Sequence, residues 1–210
     1  ICSGSGANSN GKYRGIAPES NIVMIKALDF EGKGTASDVL TGIQWIADNC
    51  KKYNIRILNM SIGAGITNTK DPLVRAAEIL WDMGIVVVAA AGNNGPQKGT
   101  ISSPGISKKI ITVGSADDIN VPENDIGKSY SGRGPTKECV IKPDVVAPGT
   151  NIISCLCEDN KSNNYYKSLS GTSMSTPIVS GAIALLLEKA PDLKPDDIKF
   201  MLKQSCHNLE

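Results

Sequence analysis

Ser173 lies in Gly171-Thr172-Ser173-Met174-Ser175-Thr176-Pro177, which runs directly into Ile178 to Leu187, an apolar stretch rich in small residues that reads as a buried helix. A serine in the first turn of such a helix sits among backbone N–H groups that have no intrahelical acceptor, at the positive end of the helix dipole. Those groups could stabilise an oxyanion formed when the hydroxyl attacks a carbonyl. Asn93, at the end of a different apolar run, could add a second, side-chain donor. On spacing alone the same residues read more readily as a helix cap, through Thr172 or Ser173, and a turn residue at Asn93.

Something must bring positions so far apart together, and the pattern along the chain predicts how. Ile22-Val23-Met24-Ile25, continuing to Leu28, reads as a buried strand ended by Glu31-Gly32-Lys33-Gly34. Ser37 and Asp38 read as cap and first-turn acid of a helix to about Lys52, with Val39, Leu40, Ile43, Ile46 and Ala47 on one face. Ile55, Ile57 and Leu58 form a second strand, stopping at Asn59-Met60-Ser61-Ile62-Gly63. Asp71-Pro72 opens a helix through Val74, Ala77, Leu80 and Trp81, closed by Gly84.

Ile85 to Ala91 is apolar without alternation, as expected of a strand covered on both faces, and it ends in Gly92-Asn93-Asn94-Gly95-Pro96. Further strands are expected at Ile110 to Val113 and near Val145 and Ile152, with helices at Thr172 to Glu188 and Pro195 to Lys203. Alternating strands and helices predict one α/β domain over residues 1–210, a mainly parallel sheet with helices on both faces. Ligands in such sheets bind outside the carboxyl ends of the strands. Three loops meet that condition, Gly32-Lys33-Gly34, Ser61-Ile62-Gly63 and Gly92 to Gly95, and either of the first two could pair with an extended peptide as an added strand.

Composition narrows the partners. Lys+Arg 22 against Asp+Glu 21, a formal charge of +1 and 4% aromatic residues give neither a basic track for phosphates nor a stacking platform for bases. Nucleic acid is therefore not the expected partner. No apolar run approaches the roughly 20 residues that cross a bilayer, and no basic-then-apolar leader follows Ile1. The six cysteines (Cys2, Cys50, Cys139, Cys155, Cys157, Cys206) are expected as free thiols in a chain with enough core to fold without staples, and Cys155 with Cys157 lacks the second ligand pair a zinc site needs.

Gly-Thr-Ser-Met-Ser-Thr-Pro at 171–177, Val-Val-Val-Ala-Ala-Ala-Gly-Asn at 86–93, Asn-Met-Ser-Ile-Gly at 59–63 and Gly-Ile-Ala-Pro at 15–18 resemble the subtilisin-like serine proteases, in that family's order and over nearly the whole chain. The resemblance implies the family's α/β fold and a serine endopeptidase working through an acyl-enzyme. Ser173 would be the nucleophile and Asn93 the oxyanion donor. Gly32, Lys33 and Gly34 on one side, with Ser61, Ile62 and Gly63 on the other, would flank the bound peptide. Ala90 and Gly92 would line the pocket for the residue before the scissile bond, a roomy apolar pocket suited to a large uncharged side chain.

The family orders its triad Asp, His, Ser, with the histidine in a His-Gly-Thr-His segment, and this chain holds neither that segment nor an early Asp-Thr-Gly or Asp-Ser-Gly. The expectation is an internal portion of a catalytic domain, without its N-terminal part and its last helix. Alone it should be nearly inert, because loss of the histidine costs about 10⁶ in kcat in the subtilisin that supplies this figure. The missing part is then the expected partner besides a peptide or protein substrate, and the uncovered sheet flank an expected surface for self-association.

Two other arrangements fall short on their motifs. His207, the one histidine, could complete a Ser, Asp, His order with Asp192 or Asp196, but Ser175 stands where the nucleophile elbow of that fold needs glycine. Ile126-Gly127-Lys128-Ser129 resembles the end of a P-loop but has Pro122 in place of the leading glycine, and Gly4-Ser5-Gly6 lacks its strand and helix. A protein of this family that binds peptides without cleaving them is the competing function. No cofactor is required; calcium stabilises many members, but Ser5 to Lys12, which resembles the place of one such site, carries no acidic ligand. Free cysteines favour an intracellular location, while many proteins of the family are secreted.

Overall fold

The computed structural model describes residues 1–65, 70–116, 129–156 and 165–207. Their elements, in chain order, are a 3-10 turn at Ala7–Ser9, α1 (Ala36–Tyr53), β1 (Ile57–Met60), α2 (Pro72–Asp82), β2 (Val86–Ala90), β3 (Ile111–Ser115), β4 (Val145–Ala147), β5 (Ile152–Cys155), β6 (Tyr166–Leu169), α3 (Thr172–Lys189) and α4 (Pro195–Ser205).

Four strands make a parallel sheet in the order β1-β2-β3-β4, with Leu58 opposite Val87, Ala89 opposite Thr112 and Val113 opposite Val145. Successive side chains of β2 point to opposite faces, yet all five are 2% exposed or less, so both faces are covered. α2 and α3 both pack on β2, and α3 reaches all four strands. β5 and β6 form a separate antiparallel pair, of which only β5 is legible as a strand in the sequence.

Local signals set the ends of the helices. α1 starts two residues earlier than Ser37 suggests, because Thr35 is the N-cap: its Oγ1 accepts from Asp38 N–H at 3.2 Å while Asp38 Oδ2 accepts from Thr35 N–H at 2.9 Å. The Thr35 hydroxyl also donates to Asp38 Oδ2 at 2.7 Å, and this bond, with that from Thr35 N–H, holds the Asp38 carboxyl below its ordinary value. Asp71 caps α2 through Leu73 N–H at 2.9 Å, with Pro72 at the first helical position. That helix closes in a Schellman turn, Ile85 N–H to Leu80 O and Gly84 N–H to Trp81 O, both 3.0 Å.

The expected strand from Ile22 to Leu28 does not form. Ile22, Val23 and Met24 are 61%, 44% and 82% exposed, while Ile25 and Ala27 lean on the core. The reason is the lack of a neighbour: β1 is the sheet's edge, and a cavity of about 270 Å³ lined by Ile25 to Leu28 on one side and Leu58 to Ile62 on the other separates the two. A strand needs a ladder partner for its N–H and C=O groups, and this segment has none among the described residues. Its apolar pattern is a strand's, but the pairing is missing.

Candidate active site

The C-terminal ends of β1 and β2 meet the N-terminus of α3, at the place expected for a ligand in a parallel sheet. Three segments far apart in sequence join there. Ser173 is the second residue of α3, so its N–H has no acceptor one turn back. Its Oγ donates to the Ser61 carbonyl at 3.0 Å, and Ser61 Oγ donates back to the Ser173 carbonyl at 2.9 Å. That carbonyl is available because Pro177, four residues on, has no N–H to claim it. The proline in the motif thus frees the acceptor that ties the helix to the loop after β1.

Asn93 lies beside this pair. Its Oδ1 accepts from Thr172 N–H and from Thr172 Oγ1, both 3.0 Å, and Thr172 Oγ1 in turn accepts from Gly92 N–H at 3.2 Å. With the carbonyl end of the amide so engaged, Nδ2 is left as the outward donor. Thr172 is fully buried, and the sequence had marked it only as one candidate cap. Gly171, at φ 151°, is in a conformation that disfavours a side chain, and a Cβ there would stand 3.1 Å from Asn93 Nδ2. Glycine before the motif therefore serves both the backbone turn and the approach of the amide.

The space beside Ala90 and Gly92, expected to be roomy, is partly filled by Ser102. Ala90 is buried inside β2 at 2% exposure. A Cβ on Gly92, itself at φ 92°, would overlap the Ser102 hydroxyl, and one on Gly63 would stand 3.1 Å from Ser102 Cβ. Ser102, buried at 5% exposure and held by its N–H to Ala91 O at 2.9 Å, fills the space between Gly63 and Gly92. Nothing in its local pattern flags it; only the loop's return to β2 puts it there.

Gly32, Lys33 and Gly34 stay apart from this cluster. They are exposed on a turn organised by Asp29, whose Oδ1 accepts from Glu31 and Lys33 N–H at 2.9 Å, and Lys33 Nζ pairs with Glu31 at 2.6 Å. Among the described residues no hydrogen bond joins them to Ser61, Ile62, Gly63 or Ser173. Ile62 lies partly buried against the core.

His207 is exposed beyond the end of α4, and Asp196 Oδ1 accepts from Trp81 Nε1 at 3.0 Å, so neither is drawn to Ser173. The Ser, Asp, His order is not assembled. Of the P-loop-like stretch, residues 126–128 lie outside the described residues, as does Cys157; Cys2, Cys50, Cys139, Cys155 and Cys206 are free thiols. The loop that resembles a calcium site does not fit the ion by itself. It lacks a carboxylate, its Gly6 carbonyl is taken by Ser9 and Gly11 N–H at 2.9 Å, and among the described residues no group of three His, Cys, Asp or Glu could hold a metal. No described helix is long and apolar enough to cross a membrane.

A parallel α/β sheet whose strand ends gather a helix-borne serine and a fixed amide is the class of protein that the fold and these contacts describe. The model of the subtilase family, peptidase S8, matches residues 1–210. Serine protease AprX of Bacillus subtilis is 45% identical over 95% of this chain and 49% of its own length, and subtilisin DY of Bacillus licheniformis 36% identical over 93% and 64%. Among solved structures, sphericase superposes with a TM-score of 0.80 at 29% identity, over 97% of this chain and 66% of that one. A cold-adapted subtilisin-like serine proteinase gives 0.73 at 30% identity. The chain belongs to the subtilase family of serine peptidases, and it spans about half to two thirds of the length of these relatives.

Proposed function

We propose that this chain carries the nucleophile and oxyanion half of a subtilisin-like serine endopeptidase, and that its triad acid and base come from the part of the catalytic domain preceding Ile1. The observation that carries this reading is the fixed geometry at Ser173: a helix N-terminus, a hydroxyl held at 3.0 Å from Ser61 O, and the Asn93 amide locked through Thr172. In the reaction, Ser173 Oγ bonds to the scissile carbonyl carbon as its proton passes to the imidazole. The oxyanion takes hydrogen bonds from Asn93 Nδ2 and Ser173 N–H. Collapse breaks the C–N bond, the imidazolium returns the proton to the leaving amine, and water then cleaves the ester by the same steps.

No cofactor enters these steps. Gly63, Gly92 and Ser102 form a pocket suited to an uncharged side chain of moderate size. The open groove between Ile25 to Leu28 and β1 supports the need for a complement. It presents the free edge of β1 and the unpaired segment beside it, both wanting strand partners. Exposed Met24 and Phe30, at 82% and 93%, would otherwise favour self-association.

Labelling with a serine-directed fluorophosphonate tests the reading. Full-length protein should be modified at Ser173, Ser173→Ala should not, and the 210-residue chain alone should react slowly if at all. Equal labelling of the chain alone would overturn the need for a complement. A full-length protein that does not label but still binds peptides would favour the non-cleaving alternative.

A further inference from the structure

Asn59, the third residue of β1, has no part in the chemistry described above, yet it sits at the head of a hydrogen-bond chain that ends on the nucleophile. Its Nδ2 donates to Ser61 Oγ at 2.9 Å, and its Oδ1 accepts from Ser180 Oγ at 2.9 Å, a hydroxyl that shares its proton with Thr176 O at 3.1 Å. Ser61 Oγ, with one lone pair so occupied, points its only proton at the Ser173 carbonyl, and Ser173 Oγ donates to the Ser61 carbonyl. Each proton in the chain has one direction that satisfies every partner. Ser180 lies two turns beyond Ser173 on α3, so Asn59 bridges the helix at one level and, through Ser61, grips it again at the nucleophile.

We propose that Asn59 is a positioning residue for Ser173: its amide sets the direction of the Ser61 hydroxyl, which fixes the first turn of α3 and with it the nucleophile. This rests on the reading of Ser173 as nucleophile. The mechanism is geometric. Without a donor from Asn59, Ser61 Oγ can rotate away from the Ser173 carbonyl that Pro177 leaves open. Of the two bonds that tie Ser173 to the loop after β1, only that from Ser173 Oγ to the Ser61 carbonyl then remains, while Thr172 stays anchored to Asn93. A displacement on the order of 1 Å at a reacting atom costs about a hundredfold in rate.

Asn59→Asp separates this role from a structural one. An aspartate still accepts from Ser180 but cannot donate to Ser61, so the contact between β1 and α3 survives while the direction of the Ser61 hydroxyl is lost. In the full-length protein, fluorophosphonate labelling of Ser173 and peptide turnover should fall about tenfold to a hundredfold in Asn59→Asp and Asn59→Ala, in kcat with little change in KM. The melting temperature of Asn59→Asp should stay near wild type, and Ser180→Ala, which leaves the Asn59 donor in place, should lose far less rate. Wild-type labelling and kcat in Asn59→Asp would overturn the positioning role and leave the peptidase reading standing. A wild-type protein that neither labels nor cleaves would overturn the peptidase reading, and the positioning role with it.

Discussion

Thr172 shows how a buried residue can decide what its neighbour offers. Its N–H and hydroxyl both hold Asn93 Oδ1, and its oxygen takes Gly92 N–H. Thr172→Val keeps the shape and the backbone bond but removes the hydroxyl, leaving Gly92 N–H without its acceptor and the Asn93 amide with one tether. Removing an oxyanion donor, the role proposed for Asn93, costs about 10²–10³ in kcat in the subtilisin that provides this figure, so loosening it should cost less, about tenfold. Steady-state kinetics of the full-length variant should show that loss in kcat with KM nearly unchanged. A rise in KM at constant kcat would instead place Thr172 in substrate binding.

At the scale of elements, α1 illustrates a helix fixed by its first turn. Its core face is Val39, Ile43 and Ile46, which pack in the same cluster as α2. The reciprocal bonds of Thr35 and Asp38 end the exposed turn at Gly32 to Gly34 and set where the helix begins. Thr35→Ala removes one half of that box and should cost about 1 kcal/mol of stability. Urea unfolding should show it as a lower midpoint with an unchanged slope. α3 follows a different rule, because its first turn has no side-chain cap and its order comes instead from Ser61 and Asn93 on other elements.

For the whole molecule, the charge cluster that fastens α4 to the sheet has a pH signature. Lys142 and Asp144 are buried, with side chains 0% and 5% exposed, and Lys142 Nζ donates to Ile110 O at 2.9 Å and to Asp144 Oδ2. From α4, Lys199 Nζ adds bonds to the carbonyls of Lys108, Lys109 and Ile110 at 2.9 to 3.0 Å and lies 3.2 Å from Asp144. Burial holds the Lys142 ammonium down to about 8, with Lys199 adding repulsion and Asp144 opposing both. The native state therefore binds fewer protons than the unfolded one between pH 8 and the ordinary value of 10.5. Stability should rise through that window, by up to about 3 kcal/mol. Urea midpoints at pH 7.5, 9 and 10.5 should climb, and the climb should flatten in Lys142→Met. An equal climb in both would assign it to other groups.

The helices α1 to α4, strands β1 to β5, the two-faced burial of β2 and the Asp71-Pro72 start of α2 were legible in the sequence, because each depends on neighbours within a turn or a strand. Tertiary structure alone decided the rest. Ile22 to Leu28 has the composition of a strand, but a strand exists only where another backbone lies beside it, and none of the described residues does. Ser61 and Ser173 exchange hydrogen bonds across 112 positions, Asn59 and Ser180 across 121, and Ser102 fills the space between two glycines it does not adjoin in sequence. Periodicity and capping are short-range signals, whereas the direction of a hydroxyl or the floor of a pocket is set by whichever distant segment packs against it.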